Sequence, residues 1–205
     1  MRLFEAILFD FDGVLADTEA LHFACWTEAL APHGVHLDWP TYREHCIGLS
    51  EPDFVAFVAA RAGREEDFNT LWAEYPRKQA LFRQRSLAEP PISEEVVELL
   101  RTLSSYKLGL VTSTSRHEIE PVLRRAGILD RFDTLICGED VSRHKPAPEP
   151  YLLAAQRLGV SRVLVVEDSP AGLASACAAG FEVLHLPEPG LLAELLRATL
   201  QPHFR

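Results

Sequence analysis

The sequence predicts a doubly wound, Rossmann-like α/β core with a parallel sheet and an all-helical domain inserted after the first strand. Four short apolar runs have the continuous hydrophobicity that is typical of strands buried on both faces of such a sheet. Helical patterns alternate with these runs from about residue 90 onwards, which is the order of elements in a doubly wound domain. Between the first run and residue 86, helical periodicity is present but no run is typical of a buried strand.

The individual elements follow from the spacing of apolar residues and from the breaks between them. The predicted strands cover residues 6–9, 108–111, 134–137 and 163–166. In the core, helices are predicted at residues 94–103, 118–126, 149–158 and 171–179. In the inserted region they are predicted at residues 19–30, 40–46, 52–62 and 65–85, with breaks at Pro32, Gly34, Gly48, Ser50 and Gly63. We therefore place the core at residues 1–15 and 87–205 and the helical insert at residues 16–86.

Length and composition agree with a core that carries an insert. The chain has 205 residues, which is about 1.4 times a domain of roughly 150 residues. Hydrophobic residues make up 47% and charged residues 24%, the ordinary proportions of a folded globular protein. The net charge of −10 argues against a nucleic-acid partner, but it allows one small anion to be held in a local site.

Export and a membrane partner are also disfavoured. No run approaches the roughly 18 apolar residues of a membrane span, and Glu5 and Asp10 interrupt the apolar start of the chain too early for a signal peptide. The four cysteines contain no C-x-x-C pair, which fits neither a zinc ribbon nor a disulfide framework. We therefore expect a cytoplasmic protein that is a monomer or a weak dimer.

Two acids follow the first predicted strand. Asp10 and Asp12 are two residues apart, so their side chains share a face at the carboxyl end of the strand. In open α/β sheets, ligands bind at that end. Two carboxylates so close repel each other unless a cation or a shared proton relieves the repulsion. On this motif alone, a simple turn at Asp12-Gly13 remains the alternative.

Polar residues also follow the second predicted strand and occupy a later loop. Thr112 and Ser113 lie between a strand end and a helix start, where hydroxyls and N–H groups can bond a phosphate oxygen. Ordinary helix capping is the alternative for this segment. Lys145 lies in a proline-bounded loop that leads into a helix, and a solvated lysine is the alternative to a ligand contact there.

A second acid pair follows the fourth predicted strand. Ser169 is a suitable N-cap and Pro170 suits the first helical position, so these two residues need no functional explanation. Glu167 and Asp168, which precede them, have no such structural reason. Asp10 and Asp168 together could supply hard oxygen ligands for Mg²⁺, which would also bind an oxygen of a phosphate substrate.

These motifs and their order resemble those of a known family. The chain contains D-x-D-G-V-x-x-D-T-E at residues 10–19, a strand-terminal Thr at 112, K-P-A-P at 145–148 and E-D-S-x-A-G at 167–172. The set is similar to the four motifs of the haloacid dehalogenase-like hydrolase superfamily, and it spans nearly the whole chain. Within the superfamily, it resembles the branch that contains β-phosphoglucomutase and small-metabolite phosphatases.

The resemblance implies a role for each matching residue. Asp10 would attack the phosphoryl group and become an aspartyl phosphate. Asp12 would protonate the leaving oxygen and later activate water. Thr112, Ser113 and Lys145 would hold the transferring phosphoryl group. These roles agree with the chemistry, because in-line phosphoryl transfer depends on positioning and charge neutralisation.

The resemblance also implies a metal site and a cap. Mg²⁺ would be bound by Asp10, Asp168 and the backbone carbonyl of Asp12, with Glu167 as a direct or water-mediated ligand. The helical insert would be a cap that closes over the site and selects the substrate. His22, near the start of the cap, would contact the substrate, and a helix-packing role for it is equally consistent with the sequence.

Hydrolysis is favoured over the mutase reaction. Mutases of the β-phosphoglucomutase type place an Arg directly after a G-x-S turn in the cap. Here the G-L-S segment at residues 48–50 is followed by Glu51, although Arg43 or Arg61 could replace the missing cation. We therefore predict a Mg²⁺-dependent phosphatase that acts on a small phosphorylated metabolite, with a sugar phosphomutase as the alternative.

Two other classes of protein fit less well. Dehalogenases of this type usually lack the second acid of the first motif, which is present here as Asp12. Signalling receivers that accept a phosphoryl group also combine strand-end acids, a Thr and a Lys with Mg²⁺. Receivers are compact single domains, so the large insert and the late Glu167-Asp168 pair argue against that class.

Overall fold

The structure, a computed structural model, describes residues 3–47, 49 and 51–200. The chain divides into two compact units, one made of Met1–Asp17 and Pro90–Arg205 and the other of Thr18–Glu89. The limits lie two and three residues beyond the positions 15 and 86 placed from the sequence alone. The difference arises because the Asp17 N–H donates to the Pro91 carbonyl within the first unit, and because the last helix of the second unit continues to Ala88.

Within the described residues, the second unit contains five α-helices. They are α1 (Glu19–Leu30), α2 (Trp39–His45), α3 (Glu51–Arg61), α4 (Phe68–Trp72) and α5 (Tyr75–Ala88). The prediction of a single helix at residues 65–85 was wrong, because this segment contains a short 3₁₀ turn followed by the separate helices α4 and α5. Pro76 lies in the first turn of α5. Proline is tolerated there because the first turn needs no N–H donor, whereas it would break a continuous helix.

Aromatic rings form much of the core of this helical unit. Trp26 of α1 packs against Phe54 of α3 with ring centroids 5.0 Å apart, and Tyr42 of α2 lies 6.0 Å from the same ring. Such rings bury large apolar areas and so hold short helices together. His22 stacks on Phe82 of α5 with centroids 4.4 Å apart, which gives His22 a packing contact inside the unit.

The first unit is built on a parallel sheet of five strands in the order β3-β2-β1-β4-β5. The strands are β1 (Ala6–Phe9), β2 (Lys107–Val111), β3 (Thr134–Ile136), β4 (Val163–Glu167) and β5 (Glu182–His185). β1 is central, with Phe9 opposite Leu110 of β2 and Val166 of β4. The four predicted strands are confirmed. β5 was missed because it is an edge strand whose terminal residues are polar and exposed, so it has no continuous apolar run.

Further α-helices cover both faces of the sheet. They are α6 (Glu94–Thr102), α7 (Arg116–Arg125), α8 (Glu149–Leu158), α9 (Pro170–Ala178) and α10 (Leu192–Leu200), of which α10 was not predicted. Ile7 and Phe9 of β1 pack in a cluster with residues of α6, α7 and α10. Ala6 and Leu8 pack in a second cluster with α8 and α9. Alternate residues of the central strand are therefore buried on opposite faces, and the predicted doubly wound fold is confirmed.

No helix in the described ranges combines the length and apolar character that crossing a membrane requires. The cysteines are free thiols, three of them buried and Cys177 exposed. A cytoplasmic location stays a prediction.

Candidate active site

The candidate site lies at the carboxyl ends of the three central strands of the sheet. Asp10 follows β1 directly, and its N–H donates to the Val166 carbonyl at 3.1 Å. Thr112 follows β2, with its N–H donating to the Ile136 carbonyl at 2.9 Å. Glu167 is the last residue of β4. Because β1 pairs with both β2 and β4, these strand ends are neighbours and bring together residues that are far apart in sequence.

Lys145 connects these strand ends. Its Nζ donates to Asp10 Oδ1 at 2.7 Å, to Glu167 Oε1 at 2.6 Å and to the Val111 carbonyl at 3.0 Å. The Lys145 side chain is 7% exposed and the Glu167 side chain 0% exposed. The lysine is thus a buried cation between two carboxylates, which excludes the solvated-loop alternative.

Glu167 is surrounded by hydrogen-bond donors. Besides Lys145, the Tyr151 hydroxyl donates to Oε1 at 2.7 Å. Oε2 accepts from the Asp168 and Ser169 N–H groups and from Ser169 Oγ, at 3.0 to 3.1 Å. Both carboxylate oxygens are therefore engaged, and Glu167 joins the lysine to the loop that carries Asp168. Tyr151 was not identified from the sequence, because its position on α8 fits the apolar periodicity of an ordinary core residue.

The Asp168 carboxylate packs against the loop that carries Asp12. A Cβ on Gly13 would lie 2.0 Å from Asp168 Oδ2, and Gly13 has a φ of +76°, so the loop requires glycine at this point. Asp168 Oδ1 is buried and has no hydrogen-bond partner among the described residues. The predicted cap at Ser169 is confirmed, because its Oγ accepts from the Gly172 N–H at 3.0 Å at the start of α9.

The second predicted motif is arranged around its hydroxyl groups. The Thr114 N–H donates to Thr112 Oγ1 at 3.1 Å, and an accepting hydroxyl keeps its own proton to donate to a ligand oxygen. Ser113 lies between them and is exposed. The Thr114 hydroxyl donates to Asp12 Oδ2 at 3.2 Å. Thr114 was not singled out from the sequence, although it belongs to the same run of hydroxyl residues.

The predicted site residues divide between the two units. Those that lie in the first unit meet at the strand ends or in the loops beside them: Asp10, Asp12, Thr112, Ser113, Lys145, Glu167 and Asp168. His22 belongs to the helical unit, where it stacks on Phe82. A substrate contact for His22 stays a prediction.

Three carboxylates of the site fit a divalent cation. Oxygens of Asp10, Glu167 and Asp168 lie within 4.8 Å of one another. A set made only of oxygen donors suits a hard ion such as Mg²⁺. The buried, unpartnered Asp168 Oδ1 is a polar atom that a bound cation would satisfy.

The charge balance of the site favours the same ion. Burial raises the pKa of Asp10 to about 8, and the negative charges of Glu167 and Asp12 act in the same direction against the opposing charge of Lys145. Burial, together with the charge of Glu167, raises the pKa of Asp168 to about 7. Burial alone would lower the pKa of Lys145, but the two carboxylates raise it, so the lysine stays charged. One cation is too little for these acids, and a divalent ion would stabilise their ionised forms.

Comparison with known proteins identifies the family. Residues 7–186 match the family model described as haloacid dehalogenase-like hydrolase. The chain belongs to this family. The resemblance drawn from the four motifs is therefore confirmed, as is the prediction of an enzyme of the haloacid dehalogenase-like hydrolase family.

Several members of the family are similar to this hydrolase over most of their length. The N-acetylmuramic acid 6-phosphate phosphatase of Pseudomonas aeruginosa is 36% identical over 190 residues, which cover 88% of this chain and 80% of that protein. The phosphorylated carbohydrates phosphatase of Thermotoga maritima is 31% identical, with 88% and 84% covered. Among solved structures, β-phosphoglucomutase from Clostridium difficile matches with a TM-score of 0.70 and 25% identity, over 89% of this chain and 84% of that chain.

Proposed function

We propose that this hydrolase is a Mg²⁺-dependent phosphatase that cleaves a small organic phosphomonoester through an aspartyl phosphate on Asp10. The observation that carries the proposal is the Lys145 ammonium, which bridges Asp10 at 2.7 Å and Glu167 at 2.6 Å in a buried site. A buried cation beside a strand-end carboxylate can hold an anionic substrate against a nucleophile that would otherwise repel it.

The reaction would use residues of the first unit in two steps. In the first, an oxygen of Asp10 bonds to phosphorus while the ester bond to phosphorus breaks, and Asp12 gives a proton to the leaving oxygen. In the second, Asp12 takes a proton from a water that attacks phosphorus, and the bond to Asp10 breaks to release inorganic phosphate. Thr112 and Lys145 would hold the phosphoryl oxygens in both steps. Ser113, in the same loop as Thr112, would add its hydroxyl and N–H groups as further hydrogen-bond donors.

The proposed metal ligands are Asp10, Asp168 and the backbone carbonyl of Asp12. Bound Mg²⁺ would neutralise charge on the phosphoryl group. Glu167 belongs to the same oxygen cluster and already accepts from Lys145, Tyr151 and the Asp168 loop, so we propose it as a direct or water-mediated ligand. Its carboxylate would orient Asp168 and Lys145 toward the reacting groups.

The helical unit supports hydrolysis over the mutase alternative. Glu51 accepts from Trp26 Nε1 at 2.6 Å and pairs with the buried Lys78, so an engaged acid stands where a mutase would carry a phosphate-binding Arg. Arg61 donates to Thr41 Oγ1 at 3.2 Å. Gly48 and Ser50 of the turn lie outside the described residues. The structural likeness to β-phosphoglucomutase keeps the mutase as the second candidate.

The names of the relatives suggest the substrate class. Two of them are phosphatases of phosphorylated carbohydrates and of N-acetylmuramic acid 6-phosphate, so we propose a phosphorylated sugar or a similar small metabolite. The helical unit would act as the cap that selects it, with His22 as a candidate contact. A cap insert that varies between relatives would allow one core to serve different substrates.

A phosphate-release screen tests the proposal. Wild-type protein would be assayed with Mg²⁺ on sugar phosphates, phosphoglycolate and nucleotides, with and without a chelator. We expect turnover that the chelator abolishes and that Asp10→Asn lacks. Asp130→Asn is the matched control, since Asp130 precedes β3 and so lies at the opposite, amino end of the strands. Full turnover by Asp10→Asn would refute the proposal, and isomer interconversion without phosphate release would favour the mutase.

A further inference from the structure

Thr114 joins the loop after β2 to the proposed acid-base residue. Its hydroxyl donates to Asp12 Oδ2 at 3.2 Å, across 102 positions of sequence. The two loops follow neighbouring parallel strands, so the contact is a direct product of the sheet order. A hydroxyl that bonds a carboxylate restrains the rotation of that carboxylate about its side-chain bonds.

The backbone of Thr114 is held from two sides. Its N–H donates to Thr112 Oγ1 at 3.1 Å, and its carbonyl accepts from the Gly138 N–H at 3.1 Å. A Cβ on Gly138 would lie 2.5 Å from the Ser113 carbonyl oxygen, so glycine is needed for this close approach. The backbone that carries the Thr114 side chain is therefore fixed in place.

The backbone of Asp12 is fixed as well. Asp12 forms an isolated parallel bridge with Ala16, and the next N–H, of Gly13, donates to the Ala16 carbonyl at 2.8 Å. The Asp12 carboxyl group is therefore carried on a fixed backbone, and the bond from Thr114 to Oδ2 acts directly on its orientation.

We propose that Thr114 is a positioning residue that orients the Asp12 carboxyl group for proton transfer. This inference rests on the proposed function. Donation from Thr114 keeps Oδ2 as an acceptor, so the mobile proton is held on Oδ1 of Asp12. That proton moves to the ester oxygen as its bond to phosphorus breaks and the Asp10 oxygen bonds to phosphorus. In the second step Asp12 recovers a proton from the attacking water.

The leaving group of the substrate gives a direct test. p-Nitrophenyl phosphate releases a stable anion that needs little protonation, whereas phenyl phosphate has nearly the same shape and needs more. The ratio kcat/KM covers events up to departure of the alcohol, so it isolates the step in which Asp12 is the acid. Thr114→Val removes the hydroxyl and keeps the shape, and Thr114→Ser keeps the hydroxyl.

We expect Thr114→Val to lower kcat/KM by about 10-fold for phenyl phosphate and by less than about 3-fold for p-nitrophenyl phosphate, a part of the usual general-acid effect. Thr114→Ser should restore both values, and Asp12→Asn should show the same substrate dependence more strongly. Thermal unfolding checks that each variant is folded, and Thr114→Ala replaces the valine variant if that one is not.

Two kinds of result would overturn the inference. Equal losses on both substrates, or no loss, in a folded Thr114→Val or Thr114→Ala protein would overturn it while the wild-type and Asp12→Asn results leave the proposed function intact. Absence of phosphate release by the wild-type protein, or equal effects of Asp12→Asn on both substrates, would instead refute the assigned chemistry and the inference with it.

Discussion

Tyr151 donates its hydroxyl proton to Glu167 Oε1 at 2.7 Å, and both side chains are fully buried. Lys145 Nζ donates to the same oxygen and lies 5.2 Å from the centroid of the Tyr151 ring. Burial raises the pKa of the Tyr151 hydroxyl well above its usual value, and the charge of Glu167 adds to this, so the hydroxyl remains a donor. The tyrosine thus restrains the buried ion pair through its hydroxyl and through its ring.

Tyr151→Phe should destabilise the protein and lower its affinity for inorganic phosphate. The variant keeps the ring but leaves a buried carboxylate short of one donor, which costs about 1.5–3 kcal/mol. Urea unfolding measures the loss of stability. Inhibition of turnover by inorganic phosphate measures the second effect, because a less restrained Lys145 should bind the anion less tightly.

Tyr42→Phe is the matched control for this experiment. The Tyr42 hydroxyl donates to Glu19 Oε2 at 3.0 Å, but in the helical unit. We expect Tyr42→Phe to lower stability without changing the inhibition constant of inorganic phosphate. An unchanged stability of Tyr151→Phe, or a loss of phosphate affinity in both variants, would contradict the role given to Tyr151.

Gly172→Ala should disrupt the site because the added methyl group would displace the Glu167 carboxylate. A Cβ at residue 172 would lie 1.7 Å from Glu167 Oε1, so either the carboxylate or the start of α9 must move. Such overpacking costs about 1–3 kcal/mol or more, and the displaced carboxylate can no longer hold Lys145 in place. We expect lower stability in urea and a loss of most phosphatase turnover.

Gly190→Ala provides the comparison for Gly172→Ala. Nothing lies within 4 Å of a Cβ built at residue 190, so this substitution should leave stability and turnover close to the wild-type values. Wild-type stability in Gly172→Ala would show that the close approach of Gly172 to Glu167 is not a constraint.

The meeting of the strand-end acids could be predicted from the sequence, and the reason is geometric. Parallel strands have their carboxyl ends at one edge of the sheet, so Asp10 and Asp168 had to converge once their strands were recognised. Thr112, at the end of β2, follows from the same edge. Lys145 lies in a loop and not at a strand end, and its role followed only from the family resemblance. The four apolar runs were recognisable because strands buried on both faces have no alternation to obscure them.

Other features depend on tertiary contacts that leave no local signal. Tyr151 occupies an apolar position of α8, and only its partner shows that the hydroxyl belongs to the site. Thr114 could be recognised only after β1 and β2 were known to be neighbours. β5 is an edge strand with polar ends and so has no continuous apolar run. The break between α4 and α5 did have a local signal, Pro76 in the first turn of α5, which the prediction of one helix at residues 65–85 overlooked.

Asp168→Asn should make the thermal stability of the protein independent of Mg²⁺ without lowering it in the absence of the metal. Burial and the charge of Glu167 raise the pKa of Asp168 to about 7. At pH 8 Asp168 is therefore ionised, and the repulsion between its charge and that of Glu167 destabilises the folded protein. In a chelator the neutral variant should therefore unfold at the same temperature as the wild type or at a higher one. Mg²⁺ at about 100 times its Kd should stabilise the wild type by about 2.7 kcal/mol and leave Asp168→Asn unchanged.

Thermal unfolding with and without Mg²⁺ measures both effects. For a chain of this length, 1 kcal/mol corresponds to about 2–4 °C in Tm. Asp130→Asn should behave like the wild type in both conditions, since Asp130 lies before β3, away from the strand ends that carry the site. An equal shift of Asp168→Asn and the wild type on adding Mg²⁺ would show that Asp168 is not a ligand.

Asp140 joins the loop after β3 to two helices. Its Oδ2 accepts from the Cys137 N–H at 2.8 Å and from Arg116 Nη2 of α7 at 2.6 Å, and its Oδ1 accepts from Arg157 Nη2 of α8 at 3.0 Å. Burial alone would raise the pKa of Asp140, but these donors outweigh it and lower the pKa below its usual value. The ionised carboxylate is therefore the form that stabilises the fold.

Asp140→Asn should remove a contribution to the free energy of unfolding that is present at neutral pH and is lost on acidification. Because the folded pKa is lowered, the contribution is fully present above the unfolded pKa of about 3.9 and is lost as the pH falls through the folded value. We expect the wild type to exceed the variant by about 1–2 kcal/mol at pH 7, since both arginines are partly exposed and their pairs are screened. Urea unfolding from pH 7 to pH 3 should show this difference in the free energy of unfolding narrowing only in the acidic part of the range. A difference that widened on acidification would mean that the neutral carboxyl group, and not the carboxylate, is the stabilising form.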